Sequence, residues 1–160
     1  MISFFNKITE TILVVVFFVM TLSVVWQVMS RYLFNISASW TEELARFCLM
    51  WLAMLGAAYI TGKREHIEID ILFGKLSLKN KRRLDYFIEV LIILFAVMVM
   101  IIGGGYLMYM TFYLEQKSPA LQVPLGYVYS VLPISGILIV MYTVHHLTLI
   151  KDLKYSAHES

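Results

Sequence analysis

The sequence predicts an all-α membrane protein: four transmembrane helices, a cytoplasmic interfacial amphipathic helix, and both termini on the cytoplasmic side. Three observations predict it. Of 160 residues, 60% are apolar and 15% charged, against about 45–50% and about 25% in soluble domains. The apolar residues gather into four windows, Thr11–Ser30, Leu44–Gly62, Val90–Leu114 and Leu125–Ile150, inside spans at about 9–34, 40–62, 82–115 and 124–150, and each window is near or above the ~20 residues that a helix needs to cross hydrocarbon. Four crossings divide the Lys and Arg residues ten to three between the two sides, and the richer side is cytoplasmic by the positive-inside rule. Residues 1–160 read as a single membrane domain.

Lys7 ahead of the first apolar run has the look of a signal peptide. The run is too long for one, however, and it ends in Met29, Ser30, Arg31 with no small-x-small cleavage site, so it is read as an uncleaved anchor. This span is apolar all round until Trp26, Gln27 and Arg31. Gln27 is its deepest strong hydrogen-bonding group, and such an amide in lipid is expected to bond to a neighbouring helix, contributing about 0.6–2 kcal/mol. The following linker is short, which places Arg31 near Glu42 and Glu43.

The second span opens with Ser39 and Glu42 in a capping-box spacing, after Trp40 and with Glu43 in the first turn. Arg46 lies one helical turn further on and can pair with these carboxylates. Gly62 reads as the glycine that ends this helix before Lys63. Ala53/Ala57 and Ala58/Gly62 are small-xxx-small pairs, and Gly56 lies between them. That spacing lets two helix backbones approach closely in lipid. It does not say whether the neighbour is in the same chain. The cluster Arg31, Trp40, Glu42, Glu43 and Arg46 is either a patch for an external partner or an ion cluster that pins the hairpin.

Between the second and third spans, Ile69, Leu72, Phe73 and Leu76 fall on one helical face, predicting an amphipathic helix over about 66–78 in the membrane surface. His66, Glu68 and Asp70 are too few and wrongly spaced for a closed metal site. The third span, from Arg82 to Glu115, would be about 50 Å long as a helix and must tilt or project beyond roughly 30 Å of hydrocarbon. Gly103, Gly104 and Gly105 in its middle mark a close helix crossing or a hinge. Pro124 suits the first turn of the fourth span, and Pro133 is expected to kink it.

The net charge of +2 gives no basis for nucleic-acid binding, and the lone Cys48 allows no intramolecular disulfide. His145 and His146 invite a second reading as a four-helix redox anchor, but adjacent residues point about 100° apart on a helix and cannot both face one haem iron. A stand-alone small carrier is a third, against which stands the lack of a carboxylate at the centre of any span. No nucleophile with an adjacent base and no phosphate loop points to an enzyme, and no cofactor is expected.

The stretches WTEELARFCLMWLAMLGAAY (Trp40–Tyr59), REHIEIDIL (Arg64–Leu72) and SPALQVPLGYVYSVLPISG (Ser118–Gly136), with the order of spans, resemble the small, Q-type membrane subunit of tripartite ATP-independent periplasmic (TRAP) transporters. The resemblance covers nearly the whole chain. It implies a subunit of the bacterial inner membrane whose partners are a large M-type membrane subunit and a periplasmic substrate-binding protein. By the same resemblance, the large subunit carries the sodium and substrate sites and moves as an elevator for an organic anion, a carboxylate such as a C4-dicarboxylate or sialic acid. This chain would then be a scaffold that also helps docking. Arg31, Trp40, Glu42, Glu43, Arg46, Ala53, Gly56, Ala57, Gly103 and Gly104 are the candidate partner-facing residues, with His66 and Asp70 on the interfacial helix.

Overall fold

A computed structural model describes residues 2–35, 38–63 and 78–156, and every described segment longer than a loop is helical. Helix α1 runs Ile2–Leu33 and α2 Ser39–Lys63. The third crossing is α3 (Leu78–Phe95), a π-helical stretch at Ala96–Gly103, and α4 (Gly104–Tyr113). The fourth is the single-turn α5 (Leu125–Tyr129) followed by α6 (Val131–Ser156). Four helical stretches, Asn6–Leu33, Ser39–Lys63, Tyr86–Tyr113 and Leu125–Thr148, are long and apolar enough to cross a membrane. The interfacial helix expected at about 66–78, with His66 and Asp70, lies outside the described residues apart from Leu78.

The crossings are not packed as a square. The principal neighbour of α1 is α2, that of α2 on its other side is α6, and α6 lies against α3 and the π-helical stretch. In space the spans therefore run first, second, fourth, third. The fourth is the central one: 39% of its apolar window is buried, against 6% for the first. Ala58, Ala96, Met100 and Ile139 form the buried core, flanked by Met54, Ile92, Leu138 and Val140.

The covered positions of α1 are Asn6, Thr9, Leu13, Val16, Met20, Ser23, Gln27 and Ser30, which alternate at spacings of three and four. A 3.5-residue repeat of this kind keeps one seam facing a neighbouring helix. Three of its members are small hydroxyl residues, which let backbones approach. The Ser23 and Ser30 hydroxyls donate to carbonyls of their own helix, Val19 O at 2.8 Å and Gln27 O at 3.0 Å, so they are not the glue between helices. Gln27 does occupy the seam, but among the described residues its amide has no hydrogen-bond partner, contrary to expectation.

Two further local expectations are corrected, and a third, the Pro133 kink, is met. Ser39 and Glu42 form no capping box: α2 begins with the Thr41 N–H and hydroxyl both donating to Ala38 O, at 3.1 and 2.7 Å, while Glu42 is engaged by Arg46. Gly62 does not end α2 in a left-handed turn, since no glycine among the described residues has positive φ. It lies inside the helix where a Cβ would stand 3.1 Å from the Tyr142 ring and 3.2 Å from Asn6 Oδ1. The Pro133 break falls at Ser130, one turn earlier than the proline, because a proline offers no N–H to the carbonyl four residues back and crowds it.

Close approach decides the packing of the third and fourth crossings. A Cβ on Gly104 would come within 2.6 Å of Leu132 Cβ, and one on Gly136 within 2.8 Å of Met100 Cβ and 3.3 Å of Ala96 O. Gly104 is thus a crossing glycine, as expected, while a Cβ on Gly103 would meet only its own helix at 3.6 Å. Gly136→Ala should destabilise the chain by about 1–3 kcal/mol through overpacking. Gly56→Ala, with nothing within 4 Å of the added carbon, should change stability by less than about 0.5 kcal/mol. Unfolding of the two variants in mixed micelles checks both.

Candidate functional site

Asn6, Gly62 and Tyr142 meet at one end of the bundle, so the first residues of α1, the end of α2 and the later half of α6 lie together there. The loop between α4 and α5 lies at the opposite end. Among the described residues, the candidate side chains singled out in the sequence lie mainly at these two ends and on the small-residue faces of α2.

At the loop end, α4 finishes with the Glu115 N–H donating to Phe112 O and the Gln116 N–H to Thr111 O, at 3.1 and 3.0 Å, a Schellman closure with Glu115 in the left-handed region at φ 48°. The chain then doubles back. The Ser118 N–H donates to Val123 O, and the Leu125 N–H to Gln116 O, both at 2.9 Å, and Lys117 pairs with Pro124 as an isolated antiparallel bridge. Ser118 is fully buried, and its hydroxyl accepts the Val123 N–H at 3.3 Å. The tip bends at Gln122, φ 56°.

Glu43 reaches this tip from α2. Its Oε2 accepts the backbone N–H groups of Ala120 at 3.0 Å and Leu121 at 2.8 Å. Hydrogen bonds to a charged acceptor contribute roughly 1.5–3 kcal/mol each, so this is a firm tie between two elements far apart in the chain. Glu42, one residue earlier, points elsewhere and pairs with Arg46 on the helix surface, where such pairs contribute about 0.3–0.5 kcal/mol. Arg31 and Trp40 are exposed. Among the described residues Arg31 pairs with no carboxylate, so the expected five-residue cluster is in fact one surface pair, one loop clamp and two exposed side chains.

The two small-residue pairs of α2 have different fates. Ala58 is wholly buried in the core and Gly62 packs on Tyr142. Ala53 and Ala57 are exposed, and Gly56 between them has open space where a side chain would be. One pair serves this chain's own packing, and the other faces outward.

At the terminal end His146 is buried, with Nδ1 3.9 Å from Glu89 Oε1, and the two side chains are 9% and 17% exposed. His145, next to it, is exposed. The two histidines therefore face different surroundings, as helix geometry requires, and the buried one is engaged by a carboxylate across α3 and α6. Among the described residues no three His, Cys, Asp or Glu side chains gather into a metal-binding group.

Residues 20–152 match the family of tripartite ATP-independent periplasmic transporters, DctQ component. The chain belongs to this family. It is 29% identical over 136 residues to a Haemophilus influenzae protein named as a TRAP transporter small permease, covering 85% of this chain and 83% of that one. The sialic acid TRAP transporter small permease SiaQ of Vibrio cholerae is 28% identical over 98 residues, 61% of this chain and 57% of SiaQ. The isethionate TRAP transporter permease DctMQ of Oleidesulfovibrio alaskensis is 30% identical over 122 residues, which are 75% of this chain but 19% of DctMQ. This chain thus spans most of one small relative and about a fifth of a much longer permease. It is a multi-pass membrane component of a TRAP transport system.

For a TRAP small permease the loop clamp, the His146–Glu89 contact and one further bond were not found from sequence. The further bond is Trp51 Nε1 donating to Val128 O at 3.1 Å, joining α2 to α5. A signal existed for it: an indole N–H deep in an apolar span must find an acceptor. Val128 O is a natural one, because Pro133 leaves the helix broken just beyond it. Trp51→Phe should lower stability by about 0.5–1.5 kcal/mol through loss of this bond, measurable by unfolding in micelles beside the unchanged Gly56→Ala control.

Proposed function

We propose that this chain is the non-catalytic small subunit of a sodium-coupled TRAP transporter in the bacterial inner membrane. In this reading it braces a large M-type subunit that imports an organic anion, a carboxylate such as a C4-dicarboxylate or sialic acid. Both termini are cytoplasmic, from the ten-to-three division of Lys and Arg. The loop end then faces the periplasm, where it helps dock the substrate-binding protein.

The observation that carries the scaffold role is the open Ala53/Gly56/Ala57 face of α2 beside the spent-in-core Ala58/Gly62 pair. Lipid tails gain nothing from a groove of small residues, whereas a second helix gains close packing. The length of DctMQ, of which the matched part is 19%, supports a large permease portion as the neighbour. Charges sit at the ends of the spans, and Glu89, the most deeply placed carboxylate of the third crossing, is beside His146 near the terminal end. That arrangement suits a brace rather than a coupled carrier, which needs an ionisable group along its pathway.

A tagged chain should co-purify with its large permease subunit, and Ala57→Leu should reduce recovery of the complex by about tenfold, equivalent to about 1.4 kcal/mol, while leaving the small subunit's own folding unchanged. Full recovery with Ala57→Leu would show that this face is not the interface. If the wild-type chain alone drove sodium-dependent accumulation of an organic anion in sealed vesicles, the brace reading would be wrong.

A further inference from the structure

Two neighbouring glutamates at the loop end are alike in sequence and unlike in structure. Glu42 lies on the helix surface with Arg46. Glu43 is half-buried, and its Oε2 receives two successive backbone N–H groups, from Ala120 and Leu121. These are the side-chain hydrogen bonds that, among the described residues, tie the 116–124 loop to another element. The loop's other hydrogen bonds run within it or to the adjoining ends of α4 and α5: Gln116 N–H to Thr111 O, the Ser118–Val123 and Gln116–Leu125 backbone bonds, the Ser118 hydroxyl on the Val123 N–H, and Gln122 Nε2 donating to Pro119 O at 3.0 Å.

We propose that Glu43 is a positioning residue: its carboxylate fixes the orientation of the 116–124 loop relative to α2, so that the loop presents one preformed surface to the binding protein. This rests on the docking role proposed above and sharpens it, because it assigns the Glu43 Oε2 to the loop backbone rather than to the partner. The Oε2 lone pairs are directed at the loop backbone and a partner cannot take them without releasing the tip. Pro119, Ala120, Gln122 and Val123 are exposed on the loop. A loop held in its bound shape before encounter loses less conformational freedom on binding than a loose one. The internal bonds keep the loop folded on itself, and the clamp determines where it points.

The test uses the assembled transporter in proteoliposomes with its binding protein, comparing wild type, Glu43→Ala and Glu43→Gln. Glutamine retains an acceptor oxygen at the same reach but carries no charge. Glu43→Ala should speed hydrogen exchange at the Ala120 and Leu121 amides by about tenfold or more. It should also raise the KM for binding-protein-delivered substrate by about fivefold with the maximal rate held. Glu43→Gln, whose neutral oxygen makes weaker bonds at the same reach, should fall between wild type and Glu43→Ala in both readouts. A direct charge contact would show instead as Glu43→Gln matching Glu43→Ala in KM with loop exchange unmoved, and that overturns the proposal. Unchanged exchange in Glu43→Ala overturns it as well. If the wild-type transporter shows no docking of the binding protein, the docking role falls for the whole loop end, while the exchange comparison still decides whether Glu43 holds the loop.

Discussion

A bilayer offers no water to a stray N–H and no hydrophobic gain for pressing one apolar helix against another. What remains to hold four spans together is how near their backbones can come, and the fold follows that rule throughout. Gly104 against Leu132 and Gly136 against Met100 each place a backbone where a Cβ would collide, and Gly62 lies where one would press on the Tyr142 ring. The Ala58 and Ala96 side chains, wholly buried in the core, do the same with a single methyl. Long apolar side chains, by contrast, cover the outside: Phe17, Phe18, Phe95 and Met98 are all more than half exposed.

The same rule inverts how a seam is read. In a soluble helix the apolar positions mark the buried face. In α1 they are everywhere, and the covered face is marked by the polar and small members Asn6, Thr9, Ser23, Gln27 and Ser30. The four spans and their helical character were legible from length and composition, because hydrocarbon thickness fixes both. The seam was present in the sequence at its three-and-four spacing, but uniform valine and phenylalanine on the other faces hid it from a search for apolar periodicity.

The loop end was legible in its residues and not in their partners. Glu42, Glu43 and Arg46 share a helix turn, and helix geometry alone allows either acid to pair with Arg46. Which one does is settled by the loop, 77 positions away in the chain, where the Ala120 and Leu121 N–H groups need an acceptor and Glu43 supplies it. Local spacing cannot carry that information. Likewise Pro133 announced a break, but its position followed from the missing N–H one turn upstream. The two small-residue pairs of α2 were equal in sequence, and only the placement of Tyr142 and the core separated the one packed within the chain from the one left open.

The π-helical stretch at Ala96–Gly103 has a bearing on comparisons among relatives. A π-turn holds more residues than an α-turn, so rows of side chains on α3 and α4 do not line up by counting in steps of 3.6. Losing one residue here would let the stretch tighten to α-turns, which complete nearly the same rotation with fewer residues, so the helix beyond it would keep roughly its orientation about the axis. Gly104 would then stay against Leu132, and the Phe112 ring, 5.0 Å from Tyr127 between centroids, would keep its partner. A one-residue alignment gap in this segment is therefore compatible with an unchanged crossing beyond it, whereas the same gap in an α-helical part of the span would turn half of it to another face.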